Sequence, residues 1–280
     1  MAKTRFITVG LGPVGRTLTA ALKEAKYQPV LIVGRGHKVE QSLARRIRSR
    51  ALTNFPKHIE NIDFILLTLP TSKLAGYVKE FAAKPFLWQK MVIIHASGSL
   101  GSEILAPLAK LGAGVAAMHP YQTFPKRQSR VNLQGITFGI TGNRRGAALA
   151  RRLASDLGAR AVTIREKDRM LYHLSAILAC TFVAADIEMA TMVLKSLGIS
   201  EQRALATALP IAAETIRNIK ELGIRAAMTG PQTRGDKALI RRHLNELKER
   251  LPELAKTYST TSRFILDQRT GPLKTKRSSH

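Results

Sequence analysis

The sequence is poor in several residue types, and each scarcity narrows what the protein can be. Its 280 residues contain one cysteine, Cys180, which excludes an internal disulfide framework and a metal site built from cysteines alone. A single cysteine also fits a reducing compartment, so a cytoplasmic location is expected. Apolar runs are short. The best of them, Leu174 to Ala185, ends at Asp186 and falls below the ~20 residues of a membrane helix, so it predicts a buried helix and no membrane partner.

Acidic residues are also scarce: 19 Asp and Glu stand against 45 Lys and Arg, which gives a net charge of +26. A field of this sign attracts nucleotides, phosphorylated metabolites or nucleic acid, although a solvated basic surface is an alternative explanation. The densest basic run is RRIRSR, residues 45 to 50. Nucleic-acid binding is nevertheless disfavoured, because no aromatic residue interleaves with this run to stack on bases. The histidines are scattered without paired ligand spacing, so no metal site is expected.

Short apolar runs alternate with helical patterns through the first half of the chain. Such alternation is typical of a parallel sheet covered on both faces. It predicts an α/β fold with a Rossmann-type, doubly wound, mostly parallel sheet over residues 1–165. After Ile164 only helical patterns remain, punctuated by Pro210, Gly230-Pro231 and Pro252. They predict an all-α second domain over residues 166–268, followed by a flexible tail, residues 269–280.

The heptapeptide GLGPVGR, residues 10 to 16, directly follows the first strand-like run and opens a helical pattern. In this context the G-x-G-x-x-G spacing predicts a dinucleotide-binding turn. Gly10 would allow the tight turn, Gly12 the close approach of a pyrophosphate, and Gly15 close packing of helix on strand. The intervening Leu11, Pro13 and Val14 would line the same turn. A glycine-rich turn without a ligand is the alternative.

The residues after the second strand indicate which dinucleotide is bound. NAD-binding domains place an acid there for the ribose 2′-OH, whereas this sequence reads VGRGHK, residues 33 to 38. Arg35 stands in place of the acid, and a guanidinium pairs well with a phosphate. NADP is therefore predicted over NAD, with Arg35, His37 and Lys38 near the 2′-phosphate. Leu69 and Pro70, which end the third strand, are expected to border the cofactor.

Two stretches after later strands predict substrate contacts. In HASGSLGS, residues 95 to 102, the hydroxyl and backbone groups of Ser97, Gly98 and Ser99 could hold a substrate anion, and Ser99 or Ser102 is expected to cap a helix. In MHPYQTF, residues 118 to 124, His119 follows a strand where α/β sheets bind ligands. It could relay a proton or orient the substrate, or be a buried structural histidine.

Two further candidates lie in the predicted helical domain. His173 opens the first helix of that domain, and a histidine side chain suits the role of a general acid; a histidine on a helix face is the alternative. The turn TGPQTRGD, residues 229 to 236, stops one helix and starts another, with Asp236 as an N-cap. Turn chemistry does not account for Arg234, which is a candidate clamp for a substrate anion.

Together these motifs resemble a family of uncharacterised oxidoreductases that have a Rossmann-like N-terminal domain and a helical C-terminal domain of unknown function. The family is distantly related to pyrroline-5-carboxylate reductase and to the 6-phosphogluconate dehydrogenase superfamily. The resemblance covers most of the chain, roughly Phe6 to Leu266, and rests on six segments. They are Gly10–Gly15, His95–Gly98, His119–Phe124, Tyr172-His173, Thr229–Asp236 and His243-Leu244. It implies NADP binding, a substrate cleft between the domains, and a homodimer formed through the helical domain.

One departure from the family pattern concerns the serine-asparagine pair that usually follows Tyr172-His173. Cys180 and Thr181 stand there instead, and a threonine lacks the reach and the amide of asparagine. We therefore expect an NADP-dependent oxidoreductase that moves hydride to or from a C=O or C=N carbon of a small anionic substrate. His173 or His119 would handle the proton, while Ser97, Gly98, Ser99 and Arg234 would bind the anion. The alternatives are a catalytically inactive NADP-binding sensor or scaffold and, less favoured, a basic nucleic-acid-binding protein.

Overall fold

The computed structural model describes residues 4–36, 38–126 and 131–268, with only the backbone of Val39. His37 and the predicted tail, residues 269–280, lie outside the described residues. The chain divides into two compact units, Met1–Ala179 and Cys180–His280. Residues 166–179, which precede the division, therefore pack with the first unit, although the sequence pattern groups them with the helices that follow.

The first unit is built on one sheet of eight strands in the order β3-β2-β1-β4-β5-β6-β7-β8. Every neighbouring pair is parallel except β6 and β7. This confirms the predicted α/β fold with a mostly parallel sheet. The strands are β1 Arg5–Val9, β2 Gln28–Val33, β3 Arg50–Leu52, β4 Phe64–Leu67, β5 Val92–His95, β6 Gly114–Tyr121, β7 Thr137–Gly142 and β8 Arg160–Thr163. The sequence pattern missed β3, because three residues are too few for a period.

Helices cover both faces of the sheet, because the strands are apolar on both sides. Phe6 and Phe64 stack at 5.0 Å on one face and pack in a core with α1 and α5, whereas Ile7 and Ile65 pack on the other face in a core with α3 and α4. The helices of this unit are α1 Pro13–Glu24, α2 Lys38–Ile47, α3 Thr71–Ala82, α4 Ala106–Lys110, α5 Arg144–Asp156 and α6 Arg169–Ile177. Short 3₁₀ helices span Trp88–Lys90, Ser102–Leu105 and Glu166–Asp168.

One edge of the sheet gathers the predicted site residues that lie on the strands or directly after them. Because β1, β2, β4, β5 and β6 are parallel, their carboxyl ends meet at this edge. β7 runs the other way, so its amino-terminal half lies there, with Gly139 opposite His119. Ligands of open α/β sheets bind outside such an edge.

The second unit is helical in its described part, as predicted. Its helices are α7 Val183–Ser196, α8 Glu201–Leu222, α9 Ile224–Ala227, α10 Pro231–Arg234, α11 Lys237–Arg250 and α12 Pro252–Gln268. Pro210 does not end a helix as expected but lies inside the 22-residue α8. Asp236 caps α11 as predicted, accepting the Leu239 N–H at 3.0 Å.

A π-helix, Leu178–Phe182, connects α6 to α7. The stretch Glu166–Ser196 has 31 residues and contains an 18-residue window with a mean hydropathy of 1.8, which by length and composition alone is apolar enough to cross a membrane. The expectation of a buried helix over Leu174 to Ala185 is wrong, since Leu174, Leu178 and Phe182 are 47%, 48% and 54% exposed. An apolar run shows that a surface must be covered, but it does not show that the same chain covers it.

Candidate functional site

The turn after β1 has the backbone that the glycine spacing predicts. Gly10 has φ +88°, and a methyl group on its Cα would lie 2.8 Å from the carbonyl oxygen of Thr68. A methyl group on Gly15 would lie 2.4 Å from the carbonyl oxygen of Gly10, so this glycine permits α1 to pack against the turn. Gly12 differs from both, because it is exposed and a methyl group there would meet nothing within 4 Å.

The space over Gly12 suits a pyrophosphate. Gly12 is the N-cap of α1 and has no side-chain cap, and Pro13 occupies the first helical position. The first N–H groups of α1, starting with Val14, thus face open space at the positive end of the helix dipole. Leu11 lies partly buried beside them. The turn therefore fits a dinucleotide phosphate.

A residue that the sequence pattern missed holds this turn in place. Thr68 follows β4, and its hydroxyl donates to the Gly10 carbonyl at 2.6 Å. Leu69, next in the chain, lies 3.3 Å from the position of a methyl group on Gly10, so it borders the turn. Pro70 is exposed and is the N-cap of α3. The signal for Thr68 was its place at a strand end beside a glycine turn, which only the strand order reveals.

At the end of β2, Arg35 and Lys38 are exposed, as a 2′-phosphate site requires, whereas His37 lies outside the described residues. The structure adds an acid that the sequence pattern did not find. Glu40, in the first turn of α2, is 7% exposed, and its Oε1 accepts the backbone N–H of Arg35 at 3.1 Å. The expectation that no acid lies at this strand end is therefore wrong.

The loop after β5 is shaped by His95, which is fully buried. Its Nε2 lies 2.8 Å from the Gly101 carbonyl oxygen. That oxygen can only accept, so Nε2 carries the proton. Its Nδ1 then accepts the Ser97 N–H at 3.2 Å. Burial lowers the pKa of His95 to about 4, so the ring is neutral and fixes both ends of the loop.

Arg169, in the first turn of α6, binds this loop from its buried side. The sequence pattern did not predict this residue. It is 1% exposed, and its guanidinium donates to the carbonyls of Ser97 at 2.7 Å, Leu100 at 3.1 Å and Gly139 at 3.1 Å. The side chain thus ties the loop to β7. A single arginine among apolar helical residues carries no sequence signal of burial.

Two N–H groups of this loop are available. Among the described residues, the N–H groups of Gly98 and Ser99 donate no hydrogen bond. Successive N–H groups of this kind can donate together to an anion. Ser97 contributes its hydroxyl, which lies 3.1 Å from that of Thr71. These are the residues that the sequence predicts for a substrate anion.

Neither Ser99 nor Ser102 caps a helix, contrary to expectation. The 3₁₀ helix Ser102–Leu105 has Gly101 as its N-cap without a side-chain cap. Two glutamates supply the acceptors instead: Glu103 accepts the Gly101 N–H at 3.1 Å, and Glu166 accepts the Ser102 N–H at 3.1 Å. The Ser102 hydroxyl also binds Glu166. Burial and the adjacent Glu103 raise the pKa of Glu166.

His119 and His173, which are far apart in the sequence, meet at Gly98. Their ring centroids are 6.0 Å apart, and a methyl group on Gly98 would lie 2.8 Å from Nε2 of His119 and 2.4 Å from Cδ2 of His173. Tyr172 completes the cluster, with its hydroxyl 3.1 Å from Nδ1 of His119 and 3.3 Å from the carbonyl oxygen of the same residue. We call His119, Tyr172 and His173 the ring cluster.

Burial, with the charge of Arg169, lowers the pKa of His119 to about 3. The ring is therefore neutral at physiological pH. Both contacts of Tyr172 are satisfied if its hydroxyl donates to the His119 carbonyl and accepts the Nδ1 proton. Nε2 of His119 is then an acceptor facing Gly98. Burial raises the pKa of Tyr172 to about 12, so its hydroxyl keeps its proton.

The remaining candidates lie in the second unit. Arg234 is the last residue of α10 and is exposed, and its role stays a prediction. Gln232 of the same turn donates to Tyr258 at 3.2 Å, and Tyr258 lies 2.8 Å from Nδ1 of His243. Thr181 and Cys180 are neighbours in the π-helix, with Oγ1 and Sγ 3.5 Å apart.

Comparison with protein families agrees with this architecture. Residues 2–120 match the Rossmann-like domain, and residues 136–265 match a domain of unknown function, DUF2520. The chain thus pairs a Rossmann-like domain with a DUF2520 domain, which confirms the expected family resemblance. A comparison with curated protein sequences gave no match.

Solved structures share the fold over nearly the full chain. BF3122 from Bacteroides fragilis, provisionally named an NADP oxidoreductase, is 24% identical with a TM-score of 0.78 and covers 95% of this chain and 98% of its own. A 1-pyrroline-5-carboxylate reductase from Streptococcus pyogenes is 18% identical, with a TM-score of 0.63, and the match covers 96% of this chain and 99% of the reductase. A reductive aminase from Aspergillus terreus, in complex with NADPH and ethyl levulinate, is 14% identical, with a TM-score of 0.66 and 96% of both chains covered.

Proposed function

We propose that the protein is an NADP-dependent oxidoreductase that acts on a C=O or C=N carbon of a small anionic substrate. One observation carries the proposal: the open glycine turn and the ring cluster lie at the same edge of one sheet. From β1 to β6 there are three inter-strand steps, or about 14 Å. The named activities of the similar structures, an NADP oxidoreductase, a 1-pyrroline-5-carboxylate reductase and a reductive aminase, support the same class.

The chain offers a complete set of groups for the cofactor. The N–H groups of the first turn of α1 would bind the pyrophosphate over Gly12, and Arg35 with Lys38 would bind the 2′-phosphate. Leu69 and Pro70 would border the cofactor where β4 ends. When bound, NADP supplies or accepts a hydride at its nicotinamide ring.

The loop after β5 would hold the substrate through its anionic group. The N–H groups of Gly98 and Ser99, with the Ser97 hydroxyl, would donate to a carboxylate or phosphate. Arg169 stabilises this arrangement from the opposite side, because it occupies the Ser97 and Leu100 carbonyls. Arg234 is a further proposed anion contact.

The ring cluster would handle the proton that accompanies the hydride. Neutral His119 would accept a hydrogen bond at Nε2 from an N–H or O–H of the substrate, and Tyr172 would hold its ring. His173, whose ring also faces Gly98, would donate or accept the transferred proton. Substitution of His173 by Ala should then reduce the rate about a hundredfold or more while NADPH still binds.

The most direct test is thermal unfolding with NADPH, NADP, NADH and NAD in parallel. A ligand at about 100 times its Kd stabilises the native state by roughly 2.7 kcal/mol. We expect the phosphorylated pair to raise Tm more than the other pair. No shift with any of the four would refute the proposal. An equal shift of Tm with NADPH and NADH would refute only the role of Arg35 and would leave the rest of the proposal standing.

A catalytically inactive NADP-binding sensor or scaffold is the second candidate. It is favoured by Thr181, which stands where the family pattern has an asparagine. A panel of carboxylate-bearing ketones and imines, assayed for NADPH oxidation, separates the two. NADPH binding without turnover of any panel member, and without gain of turnover in Thr181→Asn, would favour the sensor.

We also propose that the protein is a homodimer formed through its helical part. The helical part, taken as residues 166–268, includes α6 of the first unit, and its exposed apolar residues include Leu171 at 68% and Ile211 at 71% exposure. Twofold symmetric dimers are the commonest way to cover such faces. Light scattering should give twice the chain mass, and Leu171→Asp or Ile211→Asp should give the monomer. A monomeric wild type, or flotation of the protein with lipid vesicles, would contradict the proposal.

A further inference from the structure

The carboxylate of Glu40 fills the space beside Gly34, the residue that directly follows β2. A methyl group on Gly34 would lie 2.4 Å from Oε1 and 3.1 Å from Oε2 of Glu40. Gly34 follows β2 directly, and no positive φ requires a glycine there. Gly34 is therefore small because Glu40 needs the space, and a carboxylate lies where a side chain of residue 34 would otherwise be.

An acid at this place ordinarily selects NAD, because it accepts the hydroxyl protons of the adenosine ribose. Glu40 is arranged differently. It is 7% exposed, and its Oε1 is engaged by the backbone N–H of Arg35 at 3.1 Å. A carboxylate held by a backbone donor is a strong, charge-assisted contact, and here it fixes the residue that carries the exposed guanidinium.

We infer that Glu40 is a positioning residue that determines cofactor specificity by holding the Gly34–Arg35 turn. It orients Arg35 toward the 2′-phosphate of NADP, and it is itself bound within the turn rather than presented to the ribose. This inference rests on the proposed NADP site at the Gly10–Gly15 turn. It makes the acid a support for phosphate recognition, which is opposite to its usual role.

The test measures the Kd of NADPH and of NADH by titration calorimetry. Arg35→Ala should weaken NADPH binding about tenfold or more, the loss of one charge-assisted contact, and leave NADH binding unchanged. Glu40→Ala should also weaken NADPH selectively, because Arg35 is no longer held. Glu40→Gln should keep the preference, since its amide oxygen can accept the same N–H. In the Arg35→Ala background, Glu40→Ala should have no further effect.

Gly34→Ala provides an independent variant if Glu40→Ala does not fold. Its methyl group should displace the Glu40 carboxylate and lower NADPH affinity as Glu40→Ala does, and it should be harmless in the Glu40→Ala background. Stronger NADPH binding and weaker NADH binding in Glu40→Gln would overturn the inference and make Glu40 the ribose acid. Equal effects of Glu40→Ala with and without Arg35 would overturn it too. Failure of wild type to bind either cofactor would instead refute the proposed function.

Discussion

Gly98 and His173 are in contact although they are 75 residues apart, and a methyl group on Gly98 would lie 2.4 Å from Cδ2 of the His173 ring. The loop after β5 and the helix α6 therefore approach each other closely at this point. The same methyl group would lie 2.8 Å from Nε2 of His119, so both histidine rings face the space beside Gly98. The absence of a side chain at this position is what brings two histidines to one anion-binding loop.

Gly98→Ala should displace one or both histidine rings. The buried position leaves no free space, so we expect a loss of about 1–3 kcal/mol in the free energy of unfolding together with loss of NADPH-dependent turnover. NADPH affinity should stay within about twofold. Gly76→Ala, in α3 with nothing within 4 Å, is the control. Unchanged histidine NMR signals in Gly98→Ala would contradict the contact.

Substitution by alanine should lower stability at Gly15 and cofactor affinity at Gly12. Gly15→Ala places a methyl group against the Gly10 carbonyl and should cost about 1–3 kcal/mol of stability. Gly12→Ala has open space around it and should leave stability within about 0.5 kcal/mol, but it should weaken NADPH binding by blocking the pyrophosphate. Urea unfolding and calorimetric titration of both variants measure the two effects. Normal NADPH binding by Gly12→Ala would place the cofactor elsewhere.

Stability should fall as the pH is lowered from about 6.5 to 4, because of His95 and His119. Their pKa values are about 4 and about 3 in the folded protein and 6.5 without the fold, so over this range the unfolded chain binds protons that the native state does not. The expected loss is about 3 kcal/mol for each histidine by the end of the range, measured by urea unfolding at each pH. His95→Gln should remove about half of this dependence and leave the part that is due to His119.

Loss of Arg169 should destabilise the protein because three backbone carbonyls lose their donor. Arg169→Met should cost at least about 2 kcal/mol in the free energy of unfolding. The cost of Arg169→Lys should lie between that of Arg169→Met and zero. Arg165→Met is the matched control, since Arg165 is 67% exposed in its pair with Asp168, and such pairs contribute about 0–1 kcal/mol. Equal costs for Arg169→Met and Arg165→Met would contradict the role of Arg169 in holding the loop.

The parts of the site that follow from local pattern could be predicted from the sequence. The glycine turn, the strand that precedes it and the exposed Arg35 all depend on neighbouring residues, and their positions in the structure agree. His119 and His173 could be named as candidates, but their meeting at Gly98 depends on the order of the strands. Thr68 and Arg169 escaped prediction for the same reason, since their partners lie 30 to 72 residues away.

Two expectations that the structure contradicts, the burial of Leu174 to Ala185 and the lack of an acid near Arg35, have a common physical cause. The run Leu174 to Ala185 was expected to be buried because it is apolar, but apolarity specifies that a surface prefers cover and says nothing of which molecule supplies it. Glu40 was overlooked because a helix turns its side chain back toward the preceding strand, six residues from Gly34 in sequence. Both errors concern where a side chain points, which a one-dimensional pattern does not fix.

The Gly34–Glu40 arrangement has a consequence for anyone who wishes to change the cofactor used by this protein. The customary substitution, an aspartate introduced at the end of the second strand, would here place a second carboxylate into space that Glu40 already fills. Like charges at such a distance repel strongly in a partly buried site. A switch toward NADH would need Glu40 shortened before the aspartate is introduced or together with it. Shortening Glu40 first should weaken NADPH binding, so a path through single substitutions passes through a protein that binds its cofactor less well.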